Sequence, residues 1–230
     1  MVDRSLLPDI VPIFPLTGVL LLPGMWLPLH IFEQRYRNMV ADARERDGYI
    51  AMVQPLVPRQ DNALPSNAPP SDGPPENPEV YPVGCLGSIE RCEQTPDGCY
   101  KIALKGVTRY RLREELPLQR GYRRVAADYR EYAGDPEEGA LDFDSSRLME
   151  AMQYYGKANN VPFDAERLGS VPGIALLNGL AMSLPFGSAE KQALLEAPGP
   201  AERQQVLLGL MGMEMNERSG APFYSPPTLN

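Results

Sequence analysis

Residues 22–40 read LPGMWLPLHIFEQRYRNMV and join an apolar segment directly to a helical pattern. Trp26 to Ile31 is a strand candidate, and Pro28 within it lacks an amide donor, which favours an edge or a bulge. The following apolar residues fall at helical spacing: they are Phe32, Tyr36, Met39, Val40 and Ala43. Gly48 suits a left-handed helix cap. The stretch therefore predicts a strand that runs straight into an amphipathic helix.

The segments around this stretch predict further short strands, several of them containing proline. The candidates are Val11–Leu16, Val19–Leu22, Tyr49–Gln54, Val83–Cys92, Tyr100–Lys105, Thr108–Glu114 and Tyr122–Tyr132. Thr95-Pro96-Asp97-Gly98 separates two of them and is a strong hairpin signal. Because proline is excluded from regular central strands, we expect a small irregular β-barrel over residues 1–135 with one packed helix.

The second half of the chain changes to a period of 3.6 residues and predicts an α-helical bundle over residues 140–217. Residues 218–230 read as a flexible tail. Residues 55–82 contain nine prolines and predict a mobile loop inserted between two strands, since such a segment holds neither a ladder nor a helix. The predicted fold class is α+β, a β-rich subdomain followed by a helical one.

Composition excludes several functional classes. The chain has 230 residues, a net charge of −8 and a pI of about 4.8. Its most apolar run, Val19 to Leu29, is interrupted by Pro23, Gly24 and Pro28 and is too short to span a bilayer. The first residues do not form a signal peptide, and three cysteines are an odd number for a disulfide framework. We expect a cytoplasmic protein with reduced thiols and no membrane partner.

No motif for catalysis, cofactor binding or metal binding is present in the sequence. There is no Gly-x-x-x-x-Gly-Lys-Ser/Thr phosphate loop and no Gly-x-Ser-x-Gly elbow. His30 is the only histidine, and we interpret it as a residue hydrogen-bonded within the fold at the strand-to-helix junction. Cys85, Cys92 and Cys99 are seven residues apart, too widely spaced for a zinc knuckle. The prediction is a protein without enzymatic activity, cofactor or metal.

Several short motifs, in their order and spacing, resemble the Lon N-terminal (substrate-binding) domain family of ATP-dependent protease La, peptidase family S16. They are Val11-Pro12-Ile13-Phe14-Pro15-Leu16, Leu22-Pro23-Gly24-Met25, Leu27-Pro28-Leu29-His30-Ile31-Phe32-Glu33, Arg35-Tyr36, Val83-Gly84-Cys85-Leu86-Gly87 and Gly106-Val107-Thr108-Arg109-Tyr110. In the helical half, Leu184-Pro185, Glu190-Lys191-Gln192, Leu194-Leu195-Glu196 and Glu202-Arg203 fit the same family. The resemblance runs from about Val11 to Met215.

The resemblance implies a PUA-like β-barrel with a packed helix, followed by a C-terminal helical bundle. It also implies a substrate-recognition module that captures polypeptides for an ATPase ring. The chain ends where the ATPase and Ser-Lys protease would begin, so we expect a stand-alone, non-catalytic module, a protein quality-control accessory. Its expected partners are unfolded or regulatory polypeptides and a Lon-type protease. The motif residues expected to be structural are Gly24, Pro28, His30, Glu33, Arg35, Tyr36, Gly106 and Arg109.

Two binding hypotheses follow. The first places polypeptide binding on Trp26 and Phe32, with the flexible methionines Met213 and Met215 as a permissive lining. The alternative is RNA binding through a basic stripe at residues 109–124. In it Arg109, Arg111 and Arg113 share one face of a strand as anion-binding residues, with Tyr110 and Leu112 on the other. The acidic net charge disfavours nucleic acid.

Overall fold

The computed structural model describes residues 7–56, 77–135, 143, 145–159 and 168–219. Its strands are β1 (Ile10–Pro15), β2 (Trp26–Ile31), β3 (Tyr49–Val53), β4 (Val83–Gln94), β5 (Tyr100–Gln119) and β6 (Tyr122–Asp128). Its helices are α1 (Gln34–Glu45), α2 (Ser146–Asn159), α3 (Gly173–Ser183), α4 (Ser188–Glu196) and α5 (Pro200–Ser219), with a short 3-10 turn at Arg130–Tyr132. The predicted α+β class is confirmed, as are the turn at Gly98 and the left-handed cap at Gly48.

The six strands form one sheet in the order β2-β5-β4-β3-β1-β6, and β5 also pairs with β6. The hydrogen-bonded path from β5 through β4, β3, β1 and β6 therefore returns to β5 as a closed circuit. Strand β5 is long enough, at 20 residues, to pair with β2 along its first part and with β6 along its second. Among the described strands, β2 alone has a single neighbour.

Two apolar clusters fill the fold. The smaller one takes side chains from the five strands of the circuit and lies inside it: Val11, Ile13, Ala51, Val53, Leu86, Tyr110 and Val125, with Leu7. The larger one covers the other side of the strands. It combines β-strand residues such as Ile102 and Leu104 with Met39 of α1 and with Leu177, Leu194 and Leu207 of the helical half, α2 to α5. The two predicted subdomains thus share one core, and their division at residues 135–140 stays a prediction.

The prolines of β1 correct one expectation. β1 is not an edge strand, because it pairs with β6 on one side and with β3 on the other. It exchanges partners near its middle, however: residues 10–13 pair with β6 and residues 13–15 pair in parallel with β3. Pro12 therefore lies opposite β6 alone and Pro15 opposite β3 alone, so each proline can affect only one ladder.

Several predicted boundaries differ from the structure. Residues 19–22 are buried but not in a strand. The strand predicted to end at Tyr132 ends at Asp128, and α5 continues to Ser219, past the predicted end of the bundle. The ends of the proline-rich insertion do pair, through a bridge between Pro55 and Val80. Residues 57–76 of that loop and residues 220–230 of the predicted tail lie outside the described residues.

Candidate functional site

A β-bulge in β5 decides which way its basic side chains point. Leu86 of β4 lies opposite Thr108, whereas the next β4 residue, Gly87, lies opposite Gly106. Val107 is therefore an extra residue in β5, and one extra residue reverses the alternation of side chains beyond it. Before the bulge Ile102 and Leu104 face the larger core; after it Tyr110 faces the inside of the circuit. The bulge thus turns Arg109 toward the helical half.

Arg109 is 2% exposed and fully engaged within the fold. Its guanidinium donates to both carboxylate oxygens of Asp135, at 2.7 and 2.9 Å, and lies 4.6 Å from the Tyr132 ring centroid. It also donates to the carbonyl oxygens of Leu195, at 2.9 Å, and Ala197, at 2.6 Å. These carbonyls end helix α4, where a cation is favoured. Arg109 therefore fastens β5 to α4, and its expected role in binding an external anion is wrong.

Arg203 of α5 is a second buried arginine at the same helix end; the sequence motif Glu202-Arg203 contains it, but its burial was not predicted. It is 0% exposed, donates to the Leu194 carbonyl at 3.2 Å and to Asn178 Oδ1 at 3.0 Å. A signal was present: Arg203 lies four residues before Leu207 and eight before Met211, on the apolar stripe of α5. A cation at such a position calls for buried acceptors.

Four other arginines of the predicted basic stripe form ion pairs with carboxylates: Arg111 with Glu131, Arg113 with Asp128, Arg120 with Asp42 and Arg123 with Glu115. Arg124 donates instead to the Pro117 carbonyl at 3.1 Å, and Arg130, just beyond the stripe, shares Asp128. Hydrogen bonds from Arg130 and Arg113 hold the pKa of the Asp128 carboxyl well below its ordinary value, so the carboxylate stays charged. The local charge that suggested phosphate binding is therefore largely neutralised within the fold.

β2 presents a row of exposed side chains that we call the edge row: Trp26, Pro28, His30 and, just after the strand, Phe32. Trp26 is 49% and Phe32 45% exposed, and Pro28 and His30 are exposed as well. The intervening Leu29 and Ile31 are buried in the larger core. The His30 and Phe32 ring centroids are 6.1 Å apart. Strand alternation thus places an aromatic row on the outside of the strand that ends the sheet.

Two lysines flank the edge row on the neighbouring strand. Lys105 of β5 lies opposite Trp26 and Lys101 opposite His30, and both are exposed. The Lys105 Nζ is 6.0 Å from the centroid of the Trp26 ring, a cation–π contact. Neither lysine forms an ion pair with any residue in the described ranges, in contrast to the arginines after the bulge.

The methionines proposed for polypeptide binding lie elsewhere, on α5. Met213 is 65% exposed. The backbone of Met215 belongs to α5, but its side chain lies outside the described part of the structure. The edge row and the methionines therefore belong to different elements, at the end of the sheet and at the end of the last helix.

The two motif glycines explain how β2 joins the sheet. Gly24 has a φ of 78°, a left-handed conformation that glycine adopts without strain. Its amide donates to the Gly106 carbonyl at 2.9 Å, and the Gly106 amide donates to the Met25 carbonyl at 2.8 Å. A Cβ on Gly106 would lie 2.1 Å from the Leu22 carbonyl oxygen. The absence of a side chain therefore lets the turn before β2 rest on the bulge of β5.

Glu33, Arg35 and Tyr36 form a small cluster at the start of α1. Glu33 occupies the position before the first helical residue, and its carboxylate accepts a hydrogen bond from Arg35 Nε at 2.9 Å. The Arg35 guanidinium lies 4.6 Å from the centroid of the Tyr36 ring, and Tyr36 packs on Phe14 at 4.3 Å. Burial raises the pKa of the Tyr36 hydroxyl to about 12, so it stays protonated. These contacts support packing rather than acid–base chemistry.

The remaining candidates for chemistry are separate from one another. His30 is exposed, and its expected hydrogen bond within the fold stays a prediction. The three cysteines are unpaired, and desolvation raises the pKa of each thiol. Across the residues that the structure describes, no three His, Cys, Asp or Glu side chains come together as metal ligands. No helix in those residues is long and apolar enough to cross a membrane.

The fold and its surfaces define an α+β domain with an open aromatic sheet edge and with a buried arginine, Arg109, joining its β-rich half to its helical half. The sequence profile described as "ATP-dependent protease La (LON) substrate-binding domain" matches residues 10–212. The chain belongs to this family of Lon substrate-binding domains.

Relatives and solved structures agree with this assignment. The chain is 28% identical to a Lon protease of Azorhizobium caulinodans and 28% identical to Lon protease 2 of Syntrophobacter fumaroxidans, over 89% and 84% of its length. It spans 23% of each of those proteins. A Lon N-terminal domain protein from Xanthomonas campestris shares the fold, with a TM-score of 0.59 and 21% identity over 88% of this chain and 98% of that one. The N-terminal domain of a Mycobacterium avium complex Lon protease superposes with a TM-score of 0.54 at 15% identity, covering 88% of this chain and 97% of that one.

Proposed function

We propose that the chain is a non-catalytic recognition module that binds exposed apolar segments of unfolded or regulatory polypeptides. The observation that carries this proposal is the edge row, an aromatic surface at the one described strand with an unpaired side. Large exposed aromatic groups mark binding surfaces, because Trp and Tyr supply much of the energy of protein interfaces. Membership of a substrate-binding family supports the same class of ligand.

The finer features of the fold and the partners belong to this proposal. The ring of inward side chains from β1, β3, β4, β5 and β6 supports a PUA-like barrel, with α2 to α5 as the C-terminal bundle. Polypeptide capture supports a role as a quality-control accessory, with a Lon-type protease as a partner. The carboxylate pairs of Arg111, Arg113 and Arg123 favour polypeptides over RNA, because each occupied guanidinium must lose a partner before it contacts phosphate.

The proposal is tested with a permanently unfolded polypeptide, prepared by reducing and alkylating a disulfide-stabilised test protein. Binding of the full chain is measured by fluorescence anisotropy, and the native, disulfide-intact test protein is the control ligand. We expect the unfolded form to bind and the native form not to bind, since only the former exposes its apolar segments. Equal binding of both forms, or of neither, would overturn the proposed function.

A pair of variants locates the surface. Trp26→Ala should weaken binding of the unfolded polypeptide by at least about fivefold, a loss of about 1 kcal/mol. Tyr154→Ala is the matched control, because Tyr154 is 48% exposed, close to the 49% of Trp26, but lies on α2. If Tyr154→Ala weakens binding and Trp26→Ala does not, the edge row is not the binding surface.

A further inference from the structure

At the residues of the edge row, the backbone amide and carbonyl groups of β2 point away from β5. The Gly106 amide donates to Met25, while Trp26 lies opposite Lys105. In an antiparallel ladder this places Trp26 and Lys105 in a non-hydrogen-bonded pair, whose amide and carbonyl groups point away from each other. Because the β2–β5 register is regular, Pro28 and His30 share this orientation. Their backbone groups, like those of Trp26, therefore face the open side of β2.

Pro28 supports this assignment of the ladder. It is opposite Ala103, at a position where the missing amide removes no bond to β5. The open side of β2 therefore offers the carbonyls of Trp26, Pro28 and His30 and the amides of Trp26 and His30. Neither amide donates to another residue within the described ranges. These groups form a short template for one further strand, weakened in its middle by the proline.

The charges beside the template indicate what kind of strand it suits. Lys101 and Lys105 are exposed without ion pairs to described residues, and the Lys105 Nζ lies 6.0 Å from the centroid of the Trp26 ring. Glu93 of β4 lies opposite Lys101 but on the far side of β5. An added strand would lie about 10 Å from β5, two strand spacings, a gap that a lysine and a carboxylate side chain can bridge. An acidic segment therefore complements this surface.

We infer that the open side of β2 binds an extended polypeptide segment as an additional strand, and that it favours segments combining acidic with aromatic or aliphatic residues. This inference rests on the proposed function and specifies its mode: main-chain pairing supplies affinity, and side chains on the outward face supply preference. The edge row contacts the apolar side chains of the segment, and Lys101 and Lys105 contact its carboxylates.

The main-chain contribution is tested through Pro28. Pro28→Val restores an amide on the open side of β2. It should therefore tighten binding of a fluorescein-labelled peptide in which valine residues alternate with glutamate or phenylalanine residues. One net hydrogen bond predicts a gain of about two- to tenfold. Pro117→Val is the matched control, an exposed proline in β5 away from β2. Two further versions of this peptide carry N-methyl groups on every second amide, one version on each of the two alternating sets. Only one version should lose binding, because only one set of amides must pair with β2.

The charge contribution is tested through Lys105. Lys105→Gln should weaken binding of the acidic peptide by up to about fivefold, the range of an exposed ion pair. It should leave unchanged the binding of a peptide with glutamine in place of glutamate. Lys157→Gln on α2 is the control, since it removes an exposed lysine far along the chain. Equal losses for both peptides, or a loss with Lys157→Gln, would contradict the proposed preference for acidic segments.

The outcomes separate the binding mode from the function. If the unfolded polypeptide binds but neither Pro28→Val nor N-methylation in either register changes peptide affinity, strand addition is wrong and the proposed function stands. If Pro28→Val instead produces a concentration-dependent dimer and no tighter peptide binding, the open side pairs with a second copy of the chain. If single-stranded RNA displaces the peptide and binds more tightly, the polypeptide assignment itself is wrong.

Discussion

The two parts of strand β5 carry similar basic residues and use them in opposite ways. Before the bulge at Val107, Lys101 and Lys105 are exposed, without ion pairs to described residues, and flank the edge row. After it, Arg109 is buried against the end of α4, and Arg111 and Arg113 are paired with carboxylates. A single extra residue in β5 thus separates a surface available for binding from a surface that is engaged within the fold.

The largest expected effect on stability concerns Arg109, the buried arginine of β5 after the bulge. Arg109→Met should lower the free energy of unfolding by about 3–5 kcal/mol, because it leaves Asp135 buried without its partner and frees the α4 carbonyls. Arg111→Met is the control and should cost at most about 1 kcal/mol, since Arg111 and Glu131 are 40% and 54% exposed. Urea denaturation followed by circular dichroism measures both. Similar losses for the two variants would mean that Arg109 does not join the halves of the fold.

The second prediction concerns the bulge that separates the two parts. Gly106→Ala should destabilise the fold by about 1–3 kcal/mol, because its Cβ would meet the backbone of Leu22 and Pro23. The change should also weaken peptide binding, since the turn that positions β2 rests on Gly106. Gly134→Ala is the control, with no atom within 4 Å of an added Cβ. If Gly106→Ala unfolds at the same urea concentration as Gly134→Ala, the close approach is not required.

The sequence predicted local features better than their assembly. The Asp97-Gly98 turn, the helix that ends before Gly48 and the opposite directions of Arg109 and Tyr110 all follow from short-range rules, and the structure confirms them. The burial of Arg109 did not follow, because it depends on Asp135 and on α4, which lie 26 and 86 or more residues away. The bulge could not be predicted from the sequence either. Val107 is an ordinary strand residue, and its effect comes from how β4 and β5 are aligned.

The candidate binding surface was also predicted only in part from the sequence. Trp26 and Phe32 were singled out from the sequence, and the structure leaves both exposed on one row. The lysines beside them, Lys101 and Lys105, belonged to neither predicted binding surface. These lysines differ from the arginines in lacking a carboxylate partner among the described residues. Which basic side chains have such a partner depends on the carboxylates that the sheet and the 3-10 turn bring near, and sequence spacing does not predict those contacts.

A third, smaller effect distinguishes two buried tyrosines of the sheet that differ in the hydrogen bonding of their hydroxyls. Tyr110→Phe should raise the free energy of unfolding by about 1 kcal/mol, because the buried Tyr110 hydroxyl has no hydrogen-bond partner among the described residues. Tyr122→Phe should lower it by about 1 kcal/mol, because the Tyr122 hydroxyl donates to Asp42 at 2.8 Å. Opposite signs in urea denaturation are the expected result. A loss for Tyr110→Phe would indicate that its hydroxyl is satisfied within the circuit.

The smallest effect lies in the turn that leads into the exposed part of β5. Hydrogen bonds from the Thr95 hydroxyl, then from the Cys99 thiol and amide, lower the pKa of the Asp97 carboxyl from 3.8 to about 2. Because the folded-state pKa is the lower one, the stabilisation is complete above the ordinary pKa and is lost as the pH falls toward 2. Asp97→Asn should therefore reduce the difference in urea midpoint between pH 5 and pH 2.5. Peptide binding by the edge row at neutral pH should be unchanged. An unchanged pH dependence would show that the turn does not hold this carboxylate in its charged form, and a loss of neutral-pH binding would extend the recognition surface from the edge row to the hairpin.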